Sequence, residues 1–159
     1  MFKFRKAKKD TLYAPVTGRM IPLEEVPDKV FSSGVMGAGA GFEPETGEIC
    51  APCSGKITMI ADTLHAFSIE TESGAEILIH IGLDTVNLGG EGFEKLAEEE
   101  QKVTRGTPVI RVNLSLMKQK GMVLTTPMVV TNSDEIGTEV LSAAAVTAGE
   151  TEVLVCEKK

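Results

Sequence analysis

The chain holds two imidazoles, His65 and His80, and the residues between them read as a β-hairpin. Histidine is the side chain that changes charge near neutral pH, so two of them at short spacing invite a chemical reading. Ala66-Phe67-Ser68-Ile69-Glu70-Thr71 and Glu76-Ile77-Leu78-Ile79-His80-Ile81 are strand-like runs that flank the turn-forming Glu72-Ser73-Gly74-Ala75. A two-residue turn at Ser73-Gly74 sets His80 opposite Phe67 and His65 opposite Gly82. A four-residue loop keeps that register, and a turn at Glu72-Ser73 puts His65 directly opposite His80. Each of these registers places both imidazoles on one face, about 5 Å apart at Cβ for a direct pair and about 7–8 Å for a diagonal one. Only an odd-length loop or a bulge separates them. The same reading puts Phe67, Ile69 and Leu78 beside the histidines and turns Ile77, Ile79 and Ile81 to the core. A single strand histidine is most often a packed, hydrogen-bonded residue. Two on one face, beside an apolar patch of the kind that meets a protein partner, tip the balance toward a site.

Three chemistries suit such a pair. A metal site needs more ligands than two, so His65 and His80 would bind zinc only with Asp84 or a partner's carboxylate to complete the set. General acid–base hydrolysis lacks an evident nucleophile or cleft. Phosphoryl transfer through a phosphohistidine needs one neutral imidazole to attack phosphorus and fixed donors for the phosphoryl oxygens. His80 and His65 can fill those two roles, and Thr63 stands two residues before His65, where it can orient the ring.

The rest of the composition narrows the field. The chain of 159 residues is long enough for one domain with its own core, and its formal charge is -7. Residues 1–10 hold five basic side chains against Asp10, which leaves an acidic body. Such a body argues against nucleic-acid binding. The first ten residues read as a flexible basic tail, with Phe2 and Phe4 giving it a weak hold on an anionic membrane surface. No apolar run suffices to cross a bilayer and no signal peptide is evident, so the expected compartment is the cytoplasm, with transient contact at the inner membrane surface. Cys50-Ala-Pro-Cys53 has redox-motif spacing, but a strand-like segment follows it where the motif needs a helix. The three cysteines therefore read as small buried hydrophobes.

Positioning falls to strands. Short apolar stretches alternate with Gly, Pro, Asn, Asp and Ser, which is the pattern of a mostly β protein. Strands are expected at 12–16, 18–22, 55–61, 66–71, 76–82, 108–113, 126–131 and 153–156. Helical turns are expected at 93–99 and 114–120, the second stopped by Gly121. Gly37-Ala38-Gly39-Ala40-Gly41 reads as a flexible link. Ala14-Pro15-Val16-Thr17-Gly18-Arg19-Met20 is echoed by Ala51-Pro52-Cys53-Ser54-Gly55-Lys56-Ile57, which suggests two similar corners in one antiparallel sandwich or barrel-like domain over 11–159.

The segment Gly74-x-x-Ile77-Leu78-Ile79-His80-Ile81-Gly82-Leu83-Asp84-Thr85-Val86 resembles the active-site signature of the glucose-family IIA component of the bacterial sugar phosphotransferase system. Thr63-Leu64-His65-Ala66-Phe67 resembles the family's second histidine motif. Val26-Pro27-Asp28-Lys29-Val30-Phe31, Gly90-Glu91-Gly92-Phe93 and Thr126-Pro127-Met128-Val129 match as well. The resemblance implies a mostly β sandwich, with a shallow apolar depression around the histidines, and a transferase that needs no cofactor. It implies that His80 accepts phosphate from the histidine-containing phosphocarrier protein and passes it to a cysteine of a sugar-specific IIB domain. By the same resemblance His65 steadies the phosphoryl group, Thr63 orients His65, and Asp28, Phe31, Phe67, Leu78 and Asp84 meet partners. Ala61 and Leu78 stand where family members carry aromatics. Two other readings suit the pair. One is a regulatory module whose histidine pair bridges zinc to a target, and the other a zinc peptidase of the lysostaphin type, whose His-x-His motif this chain lacks.

Overall fold

The computed structural model describes residues 9–159, and the fold is a mostly β single domain of three antiparallel sheets with two short helices. The strands in chain order are β1 (Lys9–Tyr13), β2 (Gly18–Pro22), β3 (Ala38–Pro44), β4 (Glu48–Cys50), β5 (Gly55–Ile60), β6 (Ala66–Thr71) and β7 (Glu76–His80). There follow β8 (Phe93–Lys95), β9 (Lys102–Val103), β10 (Pro108–Val112), β11 (Thr126–Val130), β12 (Ile136–Val140), β13 (Ala145–Val146) and β14 (Glu152–Lys158). The helices are α1 (Lys29–Ser32) and α2 (Leu114–Gln119). The expected basic tail lies mostly outside the described residues, and Lys9 and Asp10 already belong to β1, paired with β14.

The large sheet runs β13-β2-β3-β11-β7-β6-β5-β9, and the two smaller ones run β1-β14-β12 and β4-β10-β8. These orders describe an internal two-fold. Read inward from either edge, the large sheet presents the same succession, with β7 and β11 meeting at the centre, and the small sheets are counterparts. The repeated corners anchor the symmetry. Tyr13 N donates to Pro52 O at 2.7 Å, and Cys50 N donates to Pro15 O at 2.6 Å, the same bond seen from each half. The central register sets Ile79 against Met128, both fully buried, so the next residues along, His80 and Val129, are symmetry counterparts. Val129 is buried beneath the segment between β2 and β3, together with Leu23, Val26 and Phe31, whereas His80 is half-buried.

Three expected elements come out differently, the first being the strand expected at 12–16, which is β1 at Lys9–Tyr13. Residues 93–99 are not helical, because Phe93–Lys95 pairs with β10 as β8. The glycine-rich link at 37–41 is mostly central strand β3, paired on both sides with β2 and β11. A Cβ on Gly39 would lie 1.9 Å from Met128 O, and one on Gly41 would lie 2.7 Å from Val26 Cγ2. Glycine is there for close packing, not for flexibility.

The register of the β6–β7 hairpin also departs from expectation. Thr71 N donates to Ala75 O at 2.9 Å, which makes Glu72-Ser73-Gly74 a three-residue loop with Gly74 at φ +92°. The left-handed glycine closes the loop one residue later than a two-residue turn would. Ala66 therefore faces His80, and Phe67 faces Ile79. Phe67 and Ile69 join Ile77 and Ile79 in the core, while Ala66, Ser68, Leu78 and His80 share the outer face.

Candidate functional site

His80 ends β7 on the outer face of the large sheet. Its Nδ1 lies 2.7 Å from Gly82 O. A carbonyl only accepts, so Nδ1 carries the proton and Nε2 keeps its lone pair free. Gly82 holds that carbonyl by taking φ +78°, and a Cβ there would lie 2.6 Å from Thr85 Cγ2. Thr85 is fully buried and its hydroxyl donates to Ile81 O, which ties the turn after His80 from below. Leu83 N adds a bond to Val123 O at 2.9 Å.

His65 sits in the turn between β5 and β6. The odd loop that puts Phe67 in the core would, in an extended strand, also send His65 inward with Ile81. The chain instead leaves the extended conformation at Leu64, φ +60°, and the two imidazoles meet edge to face with centroids 5.0 Å apart. Thr63 Oγ1 lies 2.6 Å from His65 Nδ1, so the expected Thr63–His65 pairing is present. The histidines do share one surface, though by a turn and not by strand alternation.

Phe31 stands with its ring centroid 5.1 Å from that of His80 and is only 4% exposed. It backs the imidazole, which corrects its expected place on the docking surface. Phe67 is corrected more strongly: it is 0% exposed, so no partner reaches it. Leu78 is half-buried against the small cluster under α1. Asp28 caps α1 by accepting from Val30 N at 2.9 Å, and Asp84 is exposed in the left-handed conformation before a short 3-10 turn, Thr85–Leu88. Both carboxylates lie near enough to favour protonation of His80. Burial nevertheless dominates and lowers the His80 pKa, with the Gly82 carbonyl, Asp28 and Asp84 opposing it. Burial and then the charge of His80 lower the His65 pKa. Both rings are thus biased toward the neutral form.

The sequence reading missed the apolar rim. Val30, Val86 and Val123 are each about half exposed, and they lie beside Phe31, after Asp84 and across from Leu83. The signal was weak: only Val86 stands in a turn between polar residues, whereas Val30 lies in α1 and Val123 between Met122 and Leu124. A groove of about 450 Å³ lined by Lys56, Glu70, Lys102 and their neighbours includes none of these residues. The cysteines are buried, and burial first of all holds the Cys53 thiol up at about 12. Among the described residues no group of three or more His, Cys, Asp or Glu is gathered to hold a metal, and no helix is long and apolar enough to cross a membrane.

Fold and site together define a β-sandwich domain with a half-buried imidazole pair at its surface, near exposed valines. Residues 10–136 match the family described as phosphoenolpyruvate-dependent sugar phosphotransferase system, EIIA 1. The solved structure of glucose permease IIA from Mycoplasma capricolum is similar, with a TM-score of 0.85 and 37% identity over 97% of this chain and 99% of that one. The chain belongs to the EIIA 1 family of the sugar phosphotransferase system, as a glucose-family IIA component.

Proposed function

We propose that the protein is a phosphoryl carrier for sugar uptake, which takes its phosphate on His80 Nε2. The observation that carries this reading is the imidazole pair, with His80 Nδ1 committed to Gly82 O. The donor is the phosphohistidine of the histidine-containing phosphocarrier protein. Its N–P bond breaks as the His80 Nε2–P bond forms. A cysteine thiolate of a sugar-specific IIB domain then attacks the same phosphorus, an S–P bond forms, and Nε2 leaves as neutral imidazole. The Gly82 carbonyl stabilises the positive charge that His80 carries while phosphorylated. Thr63 donates its hydroxyl proton to His65 Nδ1, which leaves His65 Nε2–H to steady the phosphoryl oxygens. Asp28, Asp84 and the net charge of -7 suit a basic partner surface, while Val30, Val86 and Val123 supply apolar contact.

The test uses ¹⁵N-labelled protein, the general phosphotransferase proteins and labelled phosphoenolpyruvate, followed by a panel of IIB domains. Phosphate on His80 Nε2 that moves to at least one IIB cysteine supports the reading. Phosphate on Nδ1 or on another residue overturns it.

The electrostatics add a pH expectation. Imidazole titrations of the free protein should give midpoints below 6.5 for both histidines. Asp28→Asn keeps the cap and removes one group that favours protonation, so the His80 midpoint should fall further. The native state binds these protons less readily than the unfolded chain does. Stability is therefore present above the unfolded value and is lost as pH falls below 6.5 through the native midpoints. A midpoint above 6.5 for either ring contradicts this.

A further inference from the structure

The site depends on a backbone conformation that its residue type disfavours. Ile81 N donates to His65 O at 2.6 Å, one step beyond the Ala66–His80 pair. Strand alternation from that bond turns the His65 side chain to the face of Ile81, which is fully buried. The imidazole is instead on the opposite face, 5.0 Å from His80 between centroids. The departure lies in the turn Asp62-Thr63-Leu64-His65. Ala61 N donates to Ala66 O at 2.9 Å and Leu64 N to Ala61 O at 2.8 Å, so both ends of the turn are closed. Within it Leu64 takes φ +60°, one of three non-glycine residues with positive φ among those described. Glycine or asparagine is at home in that conformation and leucine is not. What leucine brings is an apolar side chain packed against the main core.

We infer that Leu64 is a positioning residue: its left-handed backbone carries His65 round the end of β6 and onto His80. It touches no reacting atom, and it acts through the placement of the second imidazole. The role in transfer rests on the phosphocarrier reading, whereas the placement of the ring does not.

The test compares Leu64→Thr with Leu64→Asn. The two lose similar apolar packing, but β-branched Thr resists the left-handed conformation and Asn accepts it. The first readout is the nuclear Overhauser contact between the two imidazoles in the unphosphorylated protein. Leu64→Asn should keep it, while Leu64→Thr should lose it, with the His65 midpoint rising toward 6.5 as the ring leaves its burial and its partner. The second readout separates acceptance from delivery. Leu64→Thr should accept phosphate at close to the wild-type rate and deliver it about 100-fold more slowly, the scale of losing one fixed donor. Ring contact retained in a folded Leu64→Thr protein overturns the inference, and so does its loss in Leu64→Asn. If Leu64→Thr does not fold, Leu64→Asn alone decides through that same contact. Failure of the phosphocarrier reading would appear instead as no label on the wild-type protein whose imidazoles are in contact.

Discussion

His80→Ala is expected to take up no phosphoryl group from labelled phosphoenolpyruvate and the general phosphotransferase proteins, while its thermal unfolding stays cooperative. The loss should be total because no other side chain has the required combination. A phosphoryl acceptor needs a neutral imidazole with one nitrogen free and the other fixed. His80 has this through Gly82 O. His65 is the chain's one other imidazole, and its Nδ1 is engaged by a hydroxyl, which provides no carbonyl to stabilise a cationic phosphoimidazole. The buried cysteines keep their protons, with Cys50 raised to about 11 chiefly by burial. Persisting label on His80→Ala would remove the basis of the proposed reaction. Phe31 loses a ring contact in this variant, so a modest stability cost is expected without loss of fold.

His65→Ala is expected to accept phosphate at nearly the wild-type rate and to pass it on about 10²–10³-fold more slowly, as when one preorganised donor is removed from a transition state. The two steps should separate because the nucleophile and its Gly82 tether are untouched. What disappears, on the proposed mechanism, is the Nε2–H that would meet the phosphoryl oxygens. Single-turnover transfer from the purified phosphoprotein to a IIB domain measures the second step by itself. His65→Gln should recover part of the loss, since its amide offers an N–H from a similar reach. Equal slowing of both steps would instead mean that His65 only shapes the surface that partners share.

The strands around the site were legible because their chemistry is local. β2 and β6 fall on their expected residues, and α2 starts with the Asn113 side chain accepting from Leu116 N at 3.0 Å and stops before Gly121. The histidine motif was legible because it is long. The hairpin register was not, because one left-handed glycine decides between a two- and a three-residue loop, and Ser73-Gly74 suits both. That one residue moved Phe67 and Ile69 from the expected outer face into the core, while Leu78 stayed outside. β3 was illegible for a different reason. Its glycines answer to neighbours distant in sequence, such as Met128, and local propensity does not register such contacts. The four-residue α1 is set by its Asp28 cap and by the burial of Phe31, too short for periodicity to show. The corner repeat, by contrast, was visible as sequence and proved to mark the axis relating two halves of the domain.

The pairing of β1 with β14 has a consequence for how the domain can be attached to other things. Lys9 lies opposite Glu157, so the two ends of the described chain lie side by side. Asp10 accepts hydrogen bonds from Ser73, at the loop end of the β6–β7 hairpin. His80 is at the opposite end of that hairpin, four residues beyond Glu76, or about 13 Å of extended strand. The attachment points at the two ends of the described chain are therefore at the end of this hairpin away from His80. A load held close to those points would ride behind the imidazole face rather than across it.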